Sequence, residues 1–265
     1  ICSMITDLVF GLVKKGHDVV LCTLDPRISR PQVYRGDHLT LFVGRYRKRG
    51  KLRAVTMFSS EINDMVSFLN SQPKCDIYNA HWTYEFALAA LKTAPDKTIV
   101  TIRDWPATIL GYYKNFYRFM RYLMSVRVFR NCYDYICNSA YIWQKMHEKY
   151  PRKSAVIIPH CIDMSKANFH PKHLRREHPR IIAVNNGFDR RKNGYTLMKA
   201  FQLVSGRRPD AELHLYGNGY EPEGAAQKWA ESHKITGRIF YHGKVSGQQV
   251  LDAMREADLF IHPSL

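Results

Sequence analysis

The second half of the chain alternates apolar runs of strand length with helical patterns, and this alternation restricts the fold more than any other feature. The runs span 180–184, 211–217, 238–243 and 258–265. Neighbouring runs are separated by segments long enough for one helix, which is the spacing of parallel strands joined by right-handed crossovers. The pattern therefore predicts a Rossmann-like parallel α/β sheet.

Two of the intervening helices have clear sequence signals. Within Leu197–Val204, apolar residues recur at three- and four-residue spacing, which places them on one helical face. Gly206 and Pro209 predict the end of that helix. Ser246, followed three residues later by Gln249, predicts a capping box that opens the last helix.

The first half repeats the alternation less regularly. Helices are predicted near 5–12, 59–69, 84–91, 107–130 and 140–149, and strands near 17–24, 39–43, 75–80, 98–102, 133–139 and 155–159. A segment rich in His, Lys, Arg and Pro separates the halves, so we predict a first domain at 1–165, a linker at 166–179 and a second domain at 180–265. Because the chain opens on a helix and stops after a strand, we expect the first strand and the C-terminal part of the second domain to be missing.

The chain is strongly basic, with 40 Lys and Arg against 23 Asp and Glu, a net charge of +17 and a pI near 9.7. This excess predicts attraction to a polyanion, which is nucleic acid, an anionic membrane surface or a phosphorylated substrate. Six of the nine residues at 45–53 are basic. A solvated loop is the favoured interpretation of that run, and a membrane or acceptor contact is the alternative.

Basic and aromatic residues are interleaved at 111–130. A helix lying on an anionic membrane and a domain helix with one buried face account equally well for this stretch. A platform for single-stranded nucleic acid is less favoured, because it would normally place its aromatic residues on an exposed sheet.

Composition and motifs exclude several other classes of protein. No segment holds the roughly 20 apolar residues that a membrane-spanning helix needs, and no secretory signal peptide is visible. The six cysteines form no CxxC pair and no zinc-ligand spacing. There is neither a P-loop nor a nucleophile elbow. We therefore expect reduced thiols, a cytoplasmic location and no metal site.

Three consecutive basic residues, Arg190, Arg191 and Lys192, lie between a predicted strand and a predicted helix, shortly after Gly187. Ligands of parallel sheets bind beyond the carboxyl ends of strands, and helix N-termini favour anions. Guanidinium groups hold phosphate oxygens bidentately, and a lysine adds a point charge. Since cations oppose the dipole at a helix N-terminus, this placement favours a diphosphate-binding loop over an ordinary basic loop.

Other candidate residues follow the remaining strands at the same edge. In the second domain they lie at 217–219, 242–244 and 262–264, and the glycines at 217 and 219 allow close approach of the backbone to a ligand. In the first domain, His81 follows one strand, and Arg103 with Asp104 follows the next. These three side chains at neighbouring strand ends predict a catalytic site that faces a cleft between the domains.

The ordered motifs of the second half resemble the nucleotide-sugar-binding half of retaining glycosyltransferase family 4, which has the GT-B fold. The stretches that carry the resemblance are IPHCID (158–163), NNGFDRRKNGYTLMKAF (185–201), ELHLYGNGYE (212–221) and the segment 238–264. The first half resembles the acceptor half through LVKKGHDVVLCT, CDIYNAHW, TIRDWP and NSAYI. The likeness covers nearly the whole chain and implies two Rossmann-like domains.

The resemblance implies transfer of a hexose-type sugar from a UDP- or GDP-sugar to a lipid-linked or polysaccharide acceptor. It also implies retention at the anomeric carbon, no cofactor and no required metal. The enzyme would be cytoplasmic and would associate peripherally with the inner membrane face. Nucleic acid is the less favoured partner.

The resemblance also assigns roles to single residues. Lys192 matches the lysine that holds the donor diphosphate. The family has the partner arginine directly after the glycine, where this chain has Phe188, so Arg190 or Arg191 takes its place. The candidate donor-site residues are Gly187, Arg190, Arg191, Lys192, Gly217, Asn218, Gly219, Gly243, Lys244, Val245 and Ser264, with 243–245 near the nucleobase. The candidate catalytic residues are His81, Arg103 and Asp104.

Besides Phe188, the chain departs from the family pattern in three places. Arg103 stands where a histidine is frequent, and His160 stands where asparagine is commoner. The paired glutamates expected after Ser264 are not within the 265 residues, so we expect this chain alone to be inactive or weak. Two alternatives remain at this point: a GT-B-fold sugar-nucleotide epimerase, and a non-catalytic basic module that binds nucleic acid or membrane.

Overall fold

The computed structural model of the protein describes residues 3–160 and 177–265, and the chain divides into two compact units, 1–163 and 164–265. Residues 166–176 of the predicted linker at 166–179 lie outside the described residues. Both units have the parallel α/β architecture that the sequence pattern predicts. None of the helices in the described part of the chain is long and apolar enough to span a membrane.

The first unit begins with one helix, three strands and two further helices. These are α1 (Ser3–Lys14), β1 (Val19–Asp25), β2 (Gln32–Arg35), β3 (Leu39–Arg45), α2 (Gly50–Val55) and α3 (Ser59–Asn70). Strand β1 runs parallel to β3, and β2 pairs antiparallel with the other edge of β3. The sequence pattern did not predict β2, because all four of its residues are exposed and it has no apolar period.

The rest of the first unit forms a four-stranded parallel sheet in the order β4-β5-β6-β7. Its elements are β4 (Tyr78–His81), α4 (Glu85–Thr93), β5 (Thr98–Ile102), α5 (Pro106–Tyr112), α6 (Phe116–Asn131), β6 (Asp134–Cys137), α7 (Ala140–Lys149) and β7 (Ser154–Ile157). Four of the five residues of β5 are buried, as expected for a central parallel strand covered on both faces. An apolar cavity of about 410 Å³ lies against both β1 and β4, which are outer strands of their sheets.

The basic run at 45–53 is only in part the solvated loop that we expected, since four of its six basic residues are exposed. Its second half belongs to helix α2, and Arg53 is buried there. The guanidinium of Arg53 lies 3.9 Å from the ring centre of Tyr46, so an aromatic face stabilises its charge. This run therefore contributes to the packing of the first unit.

The prediction of one continuous helical stretch at 107–130 was wrong, because the structure has two helices there. Helix α5 ends at Tyr112, and α6 starts anew at Phe116. The side chain of Asn115 accepts a hydrogen bond of 2.9 Å from the backbone N–H of Arg118, which caps the new helix. A short polar side chain competes well for backbone donors at helix starts, so it breaks the stretch at this point.

The second unit is a four-stranded parallel sheet in the order β10-β9-β8-β11. Its elements are β8 (Arg180–Val184), α8 (Gly194–Arg207), β9 (Glu212–Tyr216), α9 (Ala225–Ser232), β10 (Arg238–Gly243), α10 (Gly247–Glu256) and β11 (Leu259–Phe260). The buried face of α8 packs on β9 through Leu197, Met198, Phe201, Leu213 and Leu215. The capping box of Ser246 and Gln249 is confirmed. Only two residues of the predicted last strand pair in the sheet.

Candidate functional site

The loop that follows β8 carries the three basic residues and turns tightly before α8. The carboxylate of Asp189 accepts a hydrogen bond of 2.9 Å from the backbone N–H of Lys192, and the Asp189 carbonyl accepts one from the N–H of Asn193. Arg190 is exposed, whereas Arg191 and Lys192 are half-buried. Burial, followed by the nearby Arg191 charge, lowers the pKa of Lys192, and Asp189 opposes the shift. The loop thus concentrates positive charge at the carboxyl end of the sheet.

Backbone hydrogen bonds join this loop to the loops after β9 and β10. The N–H of Gly187 donates to the carbonyl of Asn218 at 3.0 Å, and the N–H of Gly217 donates to the carbonyl of Gly243 at 2.7 Å. The side-chain amide of Asn218 also donates to the amide oxygen of Asn186 at 2.5 Å. The structure therefore brings together glycines from three separate predicted strand ends.

Gly217 fits this arrangement for a steric reason. Its φ is +112°, and a Cβ atom added to it would lie 1.8 Å from the carbonyl oxygen of Asn185. Real side chains do not tolerate such a contact with backbone. The β9 loop therefore packs directly on the β8 loop only because this residue is glycine.

Phe188 lies beneath the basic loop, at the position where the family resemblance implied an arginine. Its ring centre lies 4.4 Å from that of Tyr195, 5.6 Å from that of Tyr220 and 5.9 Å from that of Trp229. Tyr220 belongs to the apolar core of the second unit, and the rings of Phe188 and Trp229 pack against that core. The aromatic cluster thus holds the basic loop against the core of the second unit. The sequence did not predict this role of Phe188, nor the hydrogen bonds that Asp189 accepts within the loop.

The end of the described chain returns to the basic loop. The backbone N–H of Leu265 donates to the carbonyl of Arg191 at 2.9 Å, so Ser264 lies beside that loop. The Ser264 hydroxyl is buried and has no hydrogen-bond partner among the described residues. Lys244 and Val245 follow Gly243, and Lys244 is exposed. Within the described part of the chain, neither Lys244 nor Val245 makes a side-chain hydrogen bond or ion pair with the basic loop.

A second set of polar residues lies at the carboxyl ends of the first unit's parallel sheet. His81 ends β4, and Arg103 and Asp104 follow β5, the neighbouring strand. The hydroxyl of Tyr84 donates to the Asp104 carboxylate at 3.2 Å. The Arg103 guanidinium lies 4.7 Å from the ring centre of Trp82. The three predicted catalytic residues therefore lie at one edge of one sheet.

Two further residues, which were not predicted as site residues, belong to this set. The amide nitrogen of Asn138, after β6, donates to the carbonyl of Arg103 and to Nε2 of His160, each at 3.2 Å. Both residues stand in stretches that carried the family resemblance. Their proximity to Arg103 follows only from the strand order, in which β6 lies beside β5 and β7 lies beside β6.

The environment of this set keeps both of its histidines neutral. Burial, then the charge of Arg103 and the proximity of His160, lowers the pKa of His81 to about 4. Burial and the Arg103 charge also lower the pKa of His160. Near neutral pH, each ring therefore offers one donor and one acceptor nitrogen.

Acidification is expected to destabilise the first unit through His81. The unfolded chain binds a proton on this ring near pH 6.5, whereas the folded chain does so only near pH 4. The stabilising contribution is thus complete above pH 6.5 and is lost as the pH falls towards 4. We expect a loss of roughly 1 kcal/mol between pH 7 and pH 5, after allowance for solvent screening.

Urea unfolding of the full chain at both pH values measures this effect. His81→Asn should flatten the pH dependence, and replacement of the exposed His17 by asparagine should leave it unchanged. An equally steep pH dependence in His81→Asn would contradict the assignment.

The basic and aromatic stretch of α6 has one firmly buried part. Arg121 Nη1 lies 3.0 Å from a carboxylate oxygen of Glu85, and the Arg121 guanidinium lies 3.8 Å from the ring centre of Tyr84. This Glu85 oxygen makes no hydrogen bond with the described residues, so the contact is an ion pair. Burial is the largest single influence on Arg121 and lowers its pKa, but Glu85 and three neighbouring tyrosines together outweigh burial and raise the arginine pKa. This supports the domain-helix interpretation for this part of α6.

Phe116 and Phe119, by contrast, are about half exposed, at 53% and 47%. Among the described residues, no group of three or more His, Cys, Asp or Glu side chains has the geometry to hold a metal ion.

Comparisons with known proteins agree with this architecture. The model of Glycosyltransferase Family 4 matches residues 3–166, and that of Glycosyl transferases group 1 matches residues 165–265. No curated protein matches the sequence.

Several solved structures share the fold at low identity. An E. coli structure described as trehalose-6-phosphate bound with UDP-2-fluoro glucose is 10% identical, with a TM-score of 0.65 over 96% of this chain and 74% of the other. The α,α-trehalose 6-phosphate synthase of Burkholderia multivorans is 12% identical, with a TM-score of 0.64 over 96% of this chain and 72% of the other. S. aureus TarM, in complex with Fondaparinux, alpha-GlcNAc-glycerol and UDP, is 13% identical, with a TM-score of 0.55 over 77% of this chain and 40% of the other.

Two Rossmann-like units with this order of strands, and these matches, define a glycosyltransferase of the GT-B fold that uses a nucleotide sugar. The family models together cover the chain from residue 3 to residue 265. The chain belongs to glycosyltransferase family 4. Its excess of basic residues therefore belongs to an enzyme, and a non-catalytic binding module is not needed to account for it.

Proposed function

We propose that this enzyme transfers a hexose-type sugar from a UDP- or GDP-sugar to a lipid-linked or polysaccharide acceptor, with retention at the anomeric carbon. The second unit holds the donor, and the first unit holds the acceptor. The observation that carries the donor assignment is the junction of three strand-end loops around Gly187, Gly217 and Gly243, beside the cations at 190–192.

Charge supports the proposed role of the basic loop. A leaving nucleoside diphosphate gains negative charge as the glycosidic bond breaks, so cations beside it stabilise the transition state. Lys192 is the principal phosphate ligand in this proposal, since its half-buried amine carries a charge in a partly desolvated place. Arg190 or Arg191 supplies the second cation. The protein's own cations then offset the diphosphate charge, and we propose that no metal ion is required.

Replacement of Lys192 by alanine tests the donor site. One charged hydrogen bond contributes about 1.5–3 kcal/mol, so we expect the Kd for UDP or GDP to rise by roughly 10- to 150-fold. Isothermal titration calorimetry of the full chain measures this change. Lys199→Ala, which removes an exposed lysine on α8, should leave the Kd unchanged. Equal affinities of Lys192→Ala and the unaltered protein would remove Lys192 from the site.

The reaction itself is tested by a donor screen with product analysis. UDP- and GDP-hexoses are incubated with the protein and candidate acceptors, and NMR of the product gives the anomeric configuration. We expect any glycosylated acceptor, even at a low yield, to have the anomeric configuration of the donor, also in the presence of excess EDTA. An inverted product would contradict retention, and an epimerised nucleotide sugar without transfer would contradict the proposed reaction.

A lipid-linked acceptor requires contact with a membrane, and we propose that the start of α6 provides it. Phe116 and Phe119 are exposed there, and the exposed Lys114 precedes them. Aromatic side chains enter the headgroup region, and basic residues are attracted to anionic lipids. This arrangement would place the enzyme peripherally at the cytoplasmic membrane face.

Phe116→Ser is expected to weaken binding to vesicles that contain anionic phosphatidylglycerol by about fivefold, because less apolar surface enters the bilayer. Co-sedimentation with vesicles measures the bound fraction. Phe10→Ser, at a side chain of 61% exposure on α1, is the matched control and should bind as the unaltered protein does. A similar loss in both variants, or in neither, would contradict this contact.

A further inference from the structure

Four neighbouring parallel strands of the first unit are each followed closely by a polar side chain. They are His81 at the end of β4, Arg103 after β5, Asn138 after β6 and His160 after β7. The strands pair in this order, and carboxyl ends of parallel strands meet at one edge of the sheet. We call these four residues the strand-end cluster.

Asn138 holds the strand-end cluster together. Its amide nitrogen donates to the carbonyl oxygen of Arg103 and to Nε2 of His160. Because an amide N–H₂ group only donates, Nε2 of His160 is the acceptor and the ring proton lies on Nδ1. The cluster therefore has a defined hydrogen-bond direction that leaves donors available.

The guanidinium of Arg103 makes no ion pair with any residue that the structure describes. Its Nη1 atom is buried and has no hydrogen-bond partner in the described part of the chain. Its Nη2 atom contacts the Met4 sulfur at 3.2 Å, and a thioether is a weak acceptor. No carboxylate lies within ion-pair distance of Arg103 among residues 3–160 and 177–265. A partly buried charge without a counter-ion is unfavourable, so this geometry favours an anionic ligand.

Other atoms of the strand-end cluster lack partners in the same way. Nδ1 of His81 and Oδ1 of Asn138 are buried and make no hydrogen bond with the described residues. Buried polar atoms of folded proteins are nearly always paired, with protein, water or a ligand. Three such atoms on adjacent strands indicate a polar ligand rather than a packing defect.

The backbone at Trp82 supports this interpretation. Trp82 has a φ of +65°, which is rare and unfavourable for a bulky side chain. Its N–H donates to the carbonyl of Thr101, and its ring lies against the Arg103 guanidinium. Backbone strain of this kind concentrates at binding and catalytic sites. Here the strained residue holds the aromatic face against the uncompensated charge.

We propose that the strand-end cluster binds an anionic group of the acceptor, a phosphate monoester or a carboxylate, through Arg103 with His81 and His160 beside it. This inference rests on the proposed function, in which the first unit holds the acceptor. A guanidinium holds either anion bidentately, and the two rings add neutral donors or become protonated once the anion is bound. The acceptor of this enzyme is therefore an anionic molecule.

The experiment compares three sugars that differ in charge. Glucose 6-phosphate, glucuronate and glucose are titrated separately into the full chain, and NMR shift changes give each Kd. We expect at least one anionic sugar to bind tenfold or more tightly than glucose, and the identity of the tighter anion distinguishes phosphate from carboxylate. Equal binding of all three sugars would overturn the proposal.

Variants separate a site from the general attraction of a basic protein. Arg103→Gln should abolish the preference for the anionic sugar, whereas Arg103→Lys, which keeps the charge without the fork, should retain part of it. Arg130→Gln removes an exposed charge at the end of α6 and should keep the full preference. Retention of the preference in Arg103→Gln, or its loss in Arg130→Gln, would overturn the proposal.

Titration of each variant with UDP and GDP distinguishes two kinds of failure. An NMR spectrum of Arg103→Gln that is unchanged away from the strand-end cluster shows that the first unit of this variant is folded. If nucleotides bind but no anionic preference exists, only this inference fails. If no nucleotide binds to the unaltered protein, the proposed donor function fails as well.

Discussion

Replacement of Gly217 by alanine is expected to destabilise the second unit by about 3 kcal/mol and to abolish nucleotide binding. The added Cβ would lie 1.8 Å from the Asn185 carbonyl oxygen, and the φ of +112° is unfavourable for alanine. Relief of the clash requires the loops after β8 and β9 to separate. That movement breaks the hydrogen bonds that place Gly187 and Gly243.

Urea unfolding and calorimetry with UDP and GDP measure the two parts of this prediction. Gly247→Ala is the matched control, because no atom lies within 4 Å of a Cβ at that position and its φ is not positive. We expect the control to keep its stability and its nucleotide affinity. Full nucleotide affinity in Gly217→Ala would show that the three loops do not act together.

Replacement of Arg121 by methionine is expected to reduce the free energy of unfolding by about 3–5 kcal/mol. The variant leaves the carboxylate of Glu85 buried without its cation, and the Arg121 and Glu85 side chains are only 11% and 6% exposed. Stacking of the guanidinium on Tyr84 is lost as well. Most of this loss of stability comes from the unpaired Glu85 carboxylate. Addition of Glu85→Leu to the variant should therefore restore much of the stability.

Lys145→Met is the control for this second prediction, because it breaks the exposed pair of Lys145 and Glu148. We expect no measurable change of stability there, since exposed ion pairs contribute little. A small effect of Arg121→Met, equal to that of the control, would reopen the membrane-surface interpretation for the whole of α6.

The second unit was predictable from the sequence because its signals are local. Strands β8 and β9 are short apolar runs between turn residues, and the capping box before α10 lies within four residues. The basic loop was also recognisable, since it lies between a strand and a helix. The packing that supports this loop was not predictable, because Phe188 contacts Tyr220 and Trp229, which lie more than thirty positions away in the sequence.

The first unit was harder to predict for three physical reasons. Strand β2 is exposed at every residue, so it lacks an apolar period. Helix α2 is a single short segment of a basic run, and only the burial of Arg53 against Tyr46 reveals its packing. The strand-end cluster depends on strand order, which a linear sequence does not contain. His81 and Arg103 stood out as polar residues at strand ends, whereas Asn138 and His160 gained significance only beside them.

Hydrogen–deuterium exchange of the full chain, with and without UDP or GDP, tests the donor site most directly. We predict slower exchange on nucleotide binding at 185–193, 216–221 and 243–246, because these loops would close around one diphosphate and its nucleoside. The first unit should change little in the same experiment. Nucleotide binding without protection of these three loops, or with protection confined to the first unit, would contradict the account.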